Sequence, residues 1–249
     1  MHFIIERNNK NMETEAFLWK QLLSSPGTPH TYSECTISEL PDMISQIQKD
    51  IIPLGCINFT QDALKLKYNV SHLNPIEIPK ELRIPALLGR EYQVVSAHMI
   101  PTSGNWLVKD GSAMKDTLFI GNVERLSRED INPQHRYVIS AIVDILAEYR
   151  VYIIGGEVYA CEYYNGDPLR FPNPAIIRQA NYLYSQRKDY PKSYTMDVMV
   201  TKEGTFITEI HPTLFACGLY TTVLSTKLLQ GYQDALEYAL KHNTCVELS

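Results

Sequence analysis

Three side chains able to ligate a metal, Asp197, Glu209 and His211, stand in two apolar runs, YTMDVMV and TFITEIHP, joined by TKEG. Alternating β-rich runs around a glycine predict a hairpin. If Lys202, Glu203 and Gly204 form a three-residue loop with Gly204 in the left-handed region, Thr201 pairs with Thr205, Met199 with Ile207 and Asp197 with Glu209. The two carboxylates then stand about 5 Å apart on one face, where like charges repel. His211, two residues beyond Glu209, projects from that same face. Such a cluster asks for a compensating cation, and oxygen-rich ligands suit Mg²⁺. A two-residue loop instead slips the register by one, so that Asp197 opposes Thr208 and both carboxylates become solvated surface charges. The apolar company of the two acids, Met196 and Val198 on one side and Ile207 and Ile210 on the other, favours the first arrangement, because charges so placed are usually neutralised.

The cations come earlier in the chain. WLVKDGSAMKDTLFIG (106–121) puts Lys109 at the end of an apolar strand and Lys115 after a small, flexible loop. A phosphate chain needs charges held at fixed points and a loop able to close over it. Taken alone the segment is weak, since Lys-Asp-Gly is common in exposed turns. Arg150 opens AEYRVYII, whose Gly155-Gly156 pair predicts a tight hairpin returning through EVYACEYY. That register pairs Ile154 with Glu157 and Arg150 with Cys161. Arg150 then sits among uncharged neighbours, where a guanidinium either snorkels at the sheet edge or serves a buried anion.

These residues need a frame. Residues 2–6 predict an opening strand, 12–23 and 38–49 two amphipathic helices, and 51–59 a buried strand and its turn. The first part of the chain thus has the character of a small α/β domain, 1–80, and the proline-rich stretch 74–85 reads as a linker. Beyond it, 81–249, strands at 106–109 and 136–146, the two hairpins, a helix at 174–188 and a final helix at 220–242 predict an α+β domain with mainly antiparallel sheet.

Composition narrows the classes. A formal charge of −5 gives no basic field over the whole chain and argues against nucleic-acid binding. No apolar run approaches the roughly 20 residues of a membrane span, and the first residues do not read as a signal peptide. Five cysteines without a CxxC pair fit reduced thiols in a cytoplasmic protein better than a disulfide frame or a zinc site. P-loop, GxGxxG, GxSxG and HExxH motifs are absent.

The order of these parts resembles the ATP-grasp superfamily: a strand lysine, a loop lysine, a hinge, the E-x-R-V hairpin in AEYRVYIIGGEVY, and a D-V hairpin ending in E-I-H-P. It looks most like a small branch marked by one arginine and two lysines, often phage or bacterial. The likeness spans about residues 100–220, and the hairpin 194–220 is its most specific part. The resemblance implies the ATP-grasp fold, with antiparallel sheets sandwiching the nucleotide, and a pre-ATP-grasp-like domain over 1–80. It implies ATP and Mg²⁺, with Mn²⁺ as a substitute, and a small-molecule or peptide carboxylate joined to an amine through an acyl phosphate. Lys109 and Lys115 would hold phosphates, and Val143, Asp144, Ile145, Leu146 and Glu148 would border the nucleotide. Arg150 would steady the transferring group, and Asp197, Glu209 and His211 would bind the metal. Asparagine is more usual at the position of His211. Many relatives are homodimers, and neither a membrane nor a nucleic acid is an expected partner. Two other functions fit the same residues: a nucleotide-binding protein without turnover, and a small-molecule kinase.

Overall fold

The protein is described by a computed structural model covering residues 1–70, 77–111, 117–215, 219–220 and 223–242. The N-terminal part alternates strand and helix: β1 (His2–Glu6), α1 (Glu13–Leu23), β2 (Thr31–Cys35), α2 (Leu40–Gln46), β3 (Ile51–Leu54) and α3 (Ile57–Tyr68). Its three strands run parallel in the order β2-β1-β3. Parallel neighbours need crossovers, which α1 and α2 provide. All of β3 and the last four residues of β1 are buried, as expected where both faces of a parallel sheet are covered. Two elements here were not expected. β2 is short and mostly polar (TYSEC), and α3 begins inside the apolar run read as strand and turn.

After α4 (Pro85–Leu88) come β4 (Tyr92–Ser96), β5 (Asn105–Asp110), β6 (Thr117–Asn122) and β7 (Arg136–Ala141). They form an antiparallel sheet in the order β4-β7-β5-β6. The strand expected over 136–146 ends at Ala141, and residues 142–146 lead irregularly into β8 (Ala147–Ile154). With β9 (Glu157–Gly166), β10 (Tyr194–Val200) and β11 (Thr205–His211), β8 builds a second antiparallel sheet, β11-β10-β8-β9. α5 (Pro174–Ser185) lies between β9 and β10 in the chain, and α6 (Thr226–Lys241) closes it, starting later than the expected Tyr220. Pro174 at the first helical position and Asn173 as side-chain cap, accepting from the Ala175 amide, start α5 where they should. The whole is α+β with an α/β N-terminal part.

The two faces of the second sheet have different neighbours. Tyr149, Val151, Ile153, Met196 and Val198 pack with Ile177, Ala180 and Tyr184 of α5. Tyr152 and Ile154, which point the other way, join a core made by Trp19, Leu22, Leu54 and the inner residues of α6. This second core ties the N-terminal part to the end of the chain. Further along the same face, Glu148, Arg150, Asp197 and Met199 are not covered by a core. They face the sheet that carries Lys109. Among the described residues, no helix is long and apolar enough to cross a membrane.

Candidate functional site

The hairpin that carries the acids has an irregularity with a consequence. Val200 pairs with Thr205, Met199 with Phe206 and Val198 with Ile207, and the Thr201 amide donates to the Gly204 carbonyl at 2.8 Å. The loop is thus the two-residue one, and the expected pairs Thr201 with Thr205 and Met199 with Ile207 do not form. Carried on unbroken, this register sets Asp197 against Thr208. Between Asp197 and Val198 it shifts by one, however, and Asp197 pairs with Glu209. Thr208 is the extra residue of a β-bulge, a device that re-aims side chains. Thr208 and Glu209 both line the cleft between the sheets, while Ile207 and Ile210 both stay in the α5 core.

Arg150 lies directly across from Asp197 on the neighbouring strand β8. Its Nε donates to Oδ1 at 2.8 Å and its Nη2 to Oδ2 at 2.7 Å, a two-pronged pair in which both side chains are about 95% buried. On its other side Arg150 opposes Glu162, not Cys161, because the β8–β9 register also shifts between Tyr152 and Ile153. The stacked rings of Tyr164 and Tyr220 cover the guanidinium, with their centroids 5.7 and 4.9 Å from its central carbon. Lys109, from β5 of the other sheet, crosses the cleft and donates to Glu209 Oε1. His211 is fully buried, its Nε2 3.2 Å from Glu209 Oε2 and 3.7 Å from Asp197 Oδ2.

The compensating charge that two facing carboxylates demand is therefore within the chain, as Arg150 for Asp197 and Lys109 for Glu209. The expectation that a metal alone makes their closeness tolerable is corrected accordingly. Burial pushes the Asp197 carboxyl up, but Arg150 and His211 overcome it and hold the group well below the usual range. Burial likewise opposes ionisation of Glu209, and His211 with Lys109 brings it down to about 2. Both acids stay charged at any ordinary pH. One ligating atom each from Asp197, Glu209 and His211 lies within 4.8 Å of the others, so a small cation would fit among them.

The cleft beside this cluster has a volume of about 300 Å³ and is lined by Lys109, Val143, Ile145, Glu148, Tyr164 and Met199, among others. Glu148 accepts from the Tyr164 hydroxyl at 3.3 Å and from the Asn165 amide at 2.8 Å. Of the expected nucleotide border, Asp144 is exposed and Leu146 is not among the residues that line this cleft. The Leu146 amide donates to the Val200 carbonyl, and its carbonyl accepts from Asp167, both at 2.8 Å. Lys115 and Cys217 lie outside the described residues. Of the remaining thiols, Cys35, Cys56 and Cys161 are free.

Sequence reasoning missed Arg90, which also lines the cleft. Two of its partners are backbone oxygens more than a hundred residues away, and no spacing rule reports those. Sequence reasoning also missed Tyr164 and Tyr220, whose rings meet over Arg150 from distant parts of the chain.

Residues 105–224 match a family described as an ATP-grasp domain, the second family of its clade. Solved structures of similar shape include D-alanine–D-alanine ligase from Bacillus anthracis complexed with ATP, at 11% identity over 97% of both chains with a TM-score of 0.52. L-amino acid ligase from Bacillus licheniformis is 13% identical over 95% of this chain and 74% of that one, with a TM-score of 0.54. D-cycloserine synthetase is 10% identical over 96% of this chain and 100% of that one, with a TM-score of 0.57. At these identities the likeness is one of fold. No curated protein matches the chain.

Proposed function

From the premise that this chain carries the ATP-grasp fold, with an ATP-grasp domain over residues 105–224, we propose that it is an ATP-dependent ligase joining a carboxylate to an amine. A carboxylate oxygen of the acid attacks the terminal phosphorus of ATP and ADP leaves. The amine nitrogen then attacks the acyl carbon of the resulting acyl phosphate, inorganic phosphate departs, and the nitrogen loses a proton. Neither step needs a nucleophilic side chain, because phosphoryl transfer is mainly positioning and charge neutralisation.

The observation that carries this reading is the meeting of Lys109, Glu209, Asp197, His211 and Arg150 at one end of a cleft lying between two antiparallel sheets. Asp197, Glu209 and His211 are the residues that would hold Mg²⁺, which would supply neutralisation of the charge that develops on the phosphates. Glu209 is its foremost ligand, since it faces the cleft and is tied by the more exposed of the two ion pairs. Lys109, now paired with Glu209, is the cation that would be free to turn to a phosphate oxygen once a metal neutralised that carboxylate. Asp197 keeps both oxygens on Arg150 and offers the metal a remaining lone pair at most. Arg150 acts by holding Asp197 in place. His211 positions Glu209 from behind or offers its Nε2 to the metal. Val143 and Ile145 would flank the base. The N-terminal part, over residues 1–70, shares a core with α6 and stands on the face of the sheet that carries the acids. It is the natural wall of an acceptor site.

Thermal unfolding in the presence of ATP, Mg²⁺ and both together tests the reading. The expected outcome is a rise in Tm with the pair that exceeds either alone, followed by ADP release in a panel of acids and amines. The absence of a shift with any nucleotide contradicts it. ADP release that needs no amine and leaves a stable phosphoester points to a kinase.

A further inference from the structure

The bulge that sets Glu209 opposite Asp197 is held from outside the hairpin. Arg90 Nη1 donates to the Ile207 carbonyl at 2.7 Å, and Nη2 donates to the Thr208 carbonyl at 3.3 Å. These are the two carbonyls at the point where the ladder loses its register. Nη1 also donates to the Leu88 carbonyl at 3.0 Å, and Nε donates to Ser140 Oγ, on β7 of the other sheet, at 2.8 Å. The chain reaches this spot through Gly89, which has a φ of +61° and ends α4. A Cβ on Gly89 would fall 2.4 Å from the Phe206 ring, so only glycine lets α4 approach β11 this closely.

From these contacts we infer that Arg90 is a positioning residue for the metal site. It clamps the Ile207 and Thr208 carbonyls, keeps the extra residue in β11, and so turns the Glu209 carboxylate towards Asp197. Its link to Ser140 fixes the same bulge relative to the sheet that brings Lys109. Four of the five N–H donors of a guanidinium are used by the protein, which sets Arg90 apart from a phosphate-binding cation. A planar fork can hold two adjacent carbonyls, whereas the point charge of a lysine cannot. Without the clamp, the register that starts at Val200 and Thr205 continues, and Thr208 takes the place opposite Asp197. The inference rests on the metal site proposed above.

The test compares wild type, Arg90→Lys and Arg90→Gln. Mn²⁺ is titrated by electron paramagnetic resonance in the presence of a non-hydrolysable ATP analogue, with Tm and metal-free analogue affinity measured alongside. Both Arg90 variants should weaken Mn²⁺ about 10- to 100-fold, the usual cost of losing a group that orients a ligand. Metal-free analogue affinity should stay near wild type in the same variants. A folded Arg90 variant that binds Mn²⁺ like wild type overturns the inference, whatever its Tm. So does an equal loss of analogue affinity without metal, which would make Arg90 a nucleotide contact. If wild type itself binds no Mn²⁺, the proposed metal site fails, and its failure is recognisable because no variant is involved.

Discussion

Two ion pairs stand a few ångströms apart and differ in every respect that matters for function. Arg150–Asp197 lies within one sheet, between adjacent strands, doubly hydrogen-bonded and shut away from water. Lys109–Glu209 spans two sheets, has a single contact, and leaves about a fifth of each side chain exposed. A buried pair exchanges partners at great cost, because a charge left without its partner in a dry interior costs several kcal/mol. A pair at the wall of a wet cleft exchanges far more readily. The first pair is therefore frame, and the second is the part that can open to admit a phosphate and a metal.

The difference can be broken first at the frame. Asp197→Ala leaves Arg150 buried without its carboxylate and should cost about 3–5 kcal/mol in urea unfolding. A loss under about 1 kcal/mol would mean that the buried pair is no frame. At the exchangeable pair the expected effect shows in the ligand. Glu209→Ala should abolish the extra stabilisation that Mg²⁺ adds to ATP, about 2.7 kcal/mol at a hundred times Kd, while the ligand-free protein changes much less. Retention of the metal-dependent shift would remove Glu209 from the site. Tyr164→Leu strips one ring from Arg150, and a cation–π contact of this kind contributes about 1 kcal/mol. An unchanged urea midpoint would mean that the stack contributes nothing.

A further expected effect is a change in pH dependence. The Glu209 carboxyl is depressed from 4.5 to about 2 in the folded chain. As pH falls, the unfolded chain thus takes up this proton first. The stability tied to the group is complete above about 4.5 and is lost as the pH falls to about 2. Glu209→Gln should flatten that decline, measured as urea midpoints across the window. Asp197, depressed in the same direction, remains in both proteins and leaves a residual slope. Parallel curves for the two proteins would contradict the strong coupling of Glu209 to Lys109 and His211.

The same pair of regions shows what is legible in the sequence. Alternation and a glycine loop are enough to find the hairpin, and apolar neighbours around Asp197 and Glu209 correctly favour their pairing. The three-residue loop that would explain this pairing is not the one present. The loop has two residues, and a bulge at Thr208 restores the register that the loop alone would spoil. Bulges depend on contacts from elsewhere, here the guanidinium of Arg90, and a local pattern does not encode them. Arg150 is legible as a cation in apolar company, but its partner is not, because β8 and β10 meet with α5 between them in the chain. The short polar strand β2 lacks an apolar alternation, and α3 is hidden by its apolar first turn. In both elements tertiary packing decides what propensity leaves open.

The most direct measurement is a crystal structure with a non-hydrolysable ATP analogue and Mn²⁺, using the anomalous signal to locate the metal. The expected result is a Mn²⁺ peak against Glu209, with Lys109 Nζ moved onto a phosphate oxygen and Arg150 still paired with Asp197. A nucleotide bound away from this cleft, or Lys109 still on Glu209 with the phosphates in place, would contradict the account.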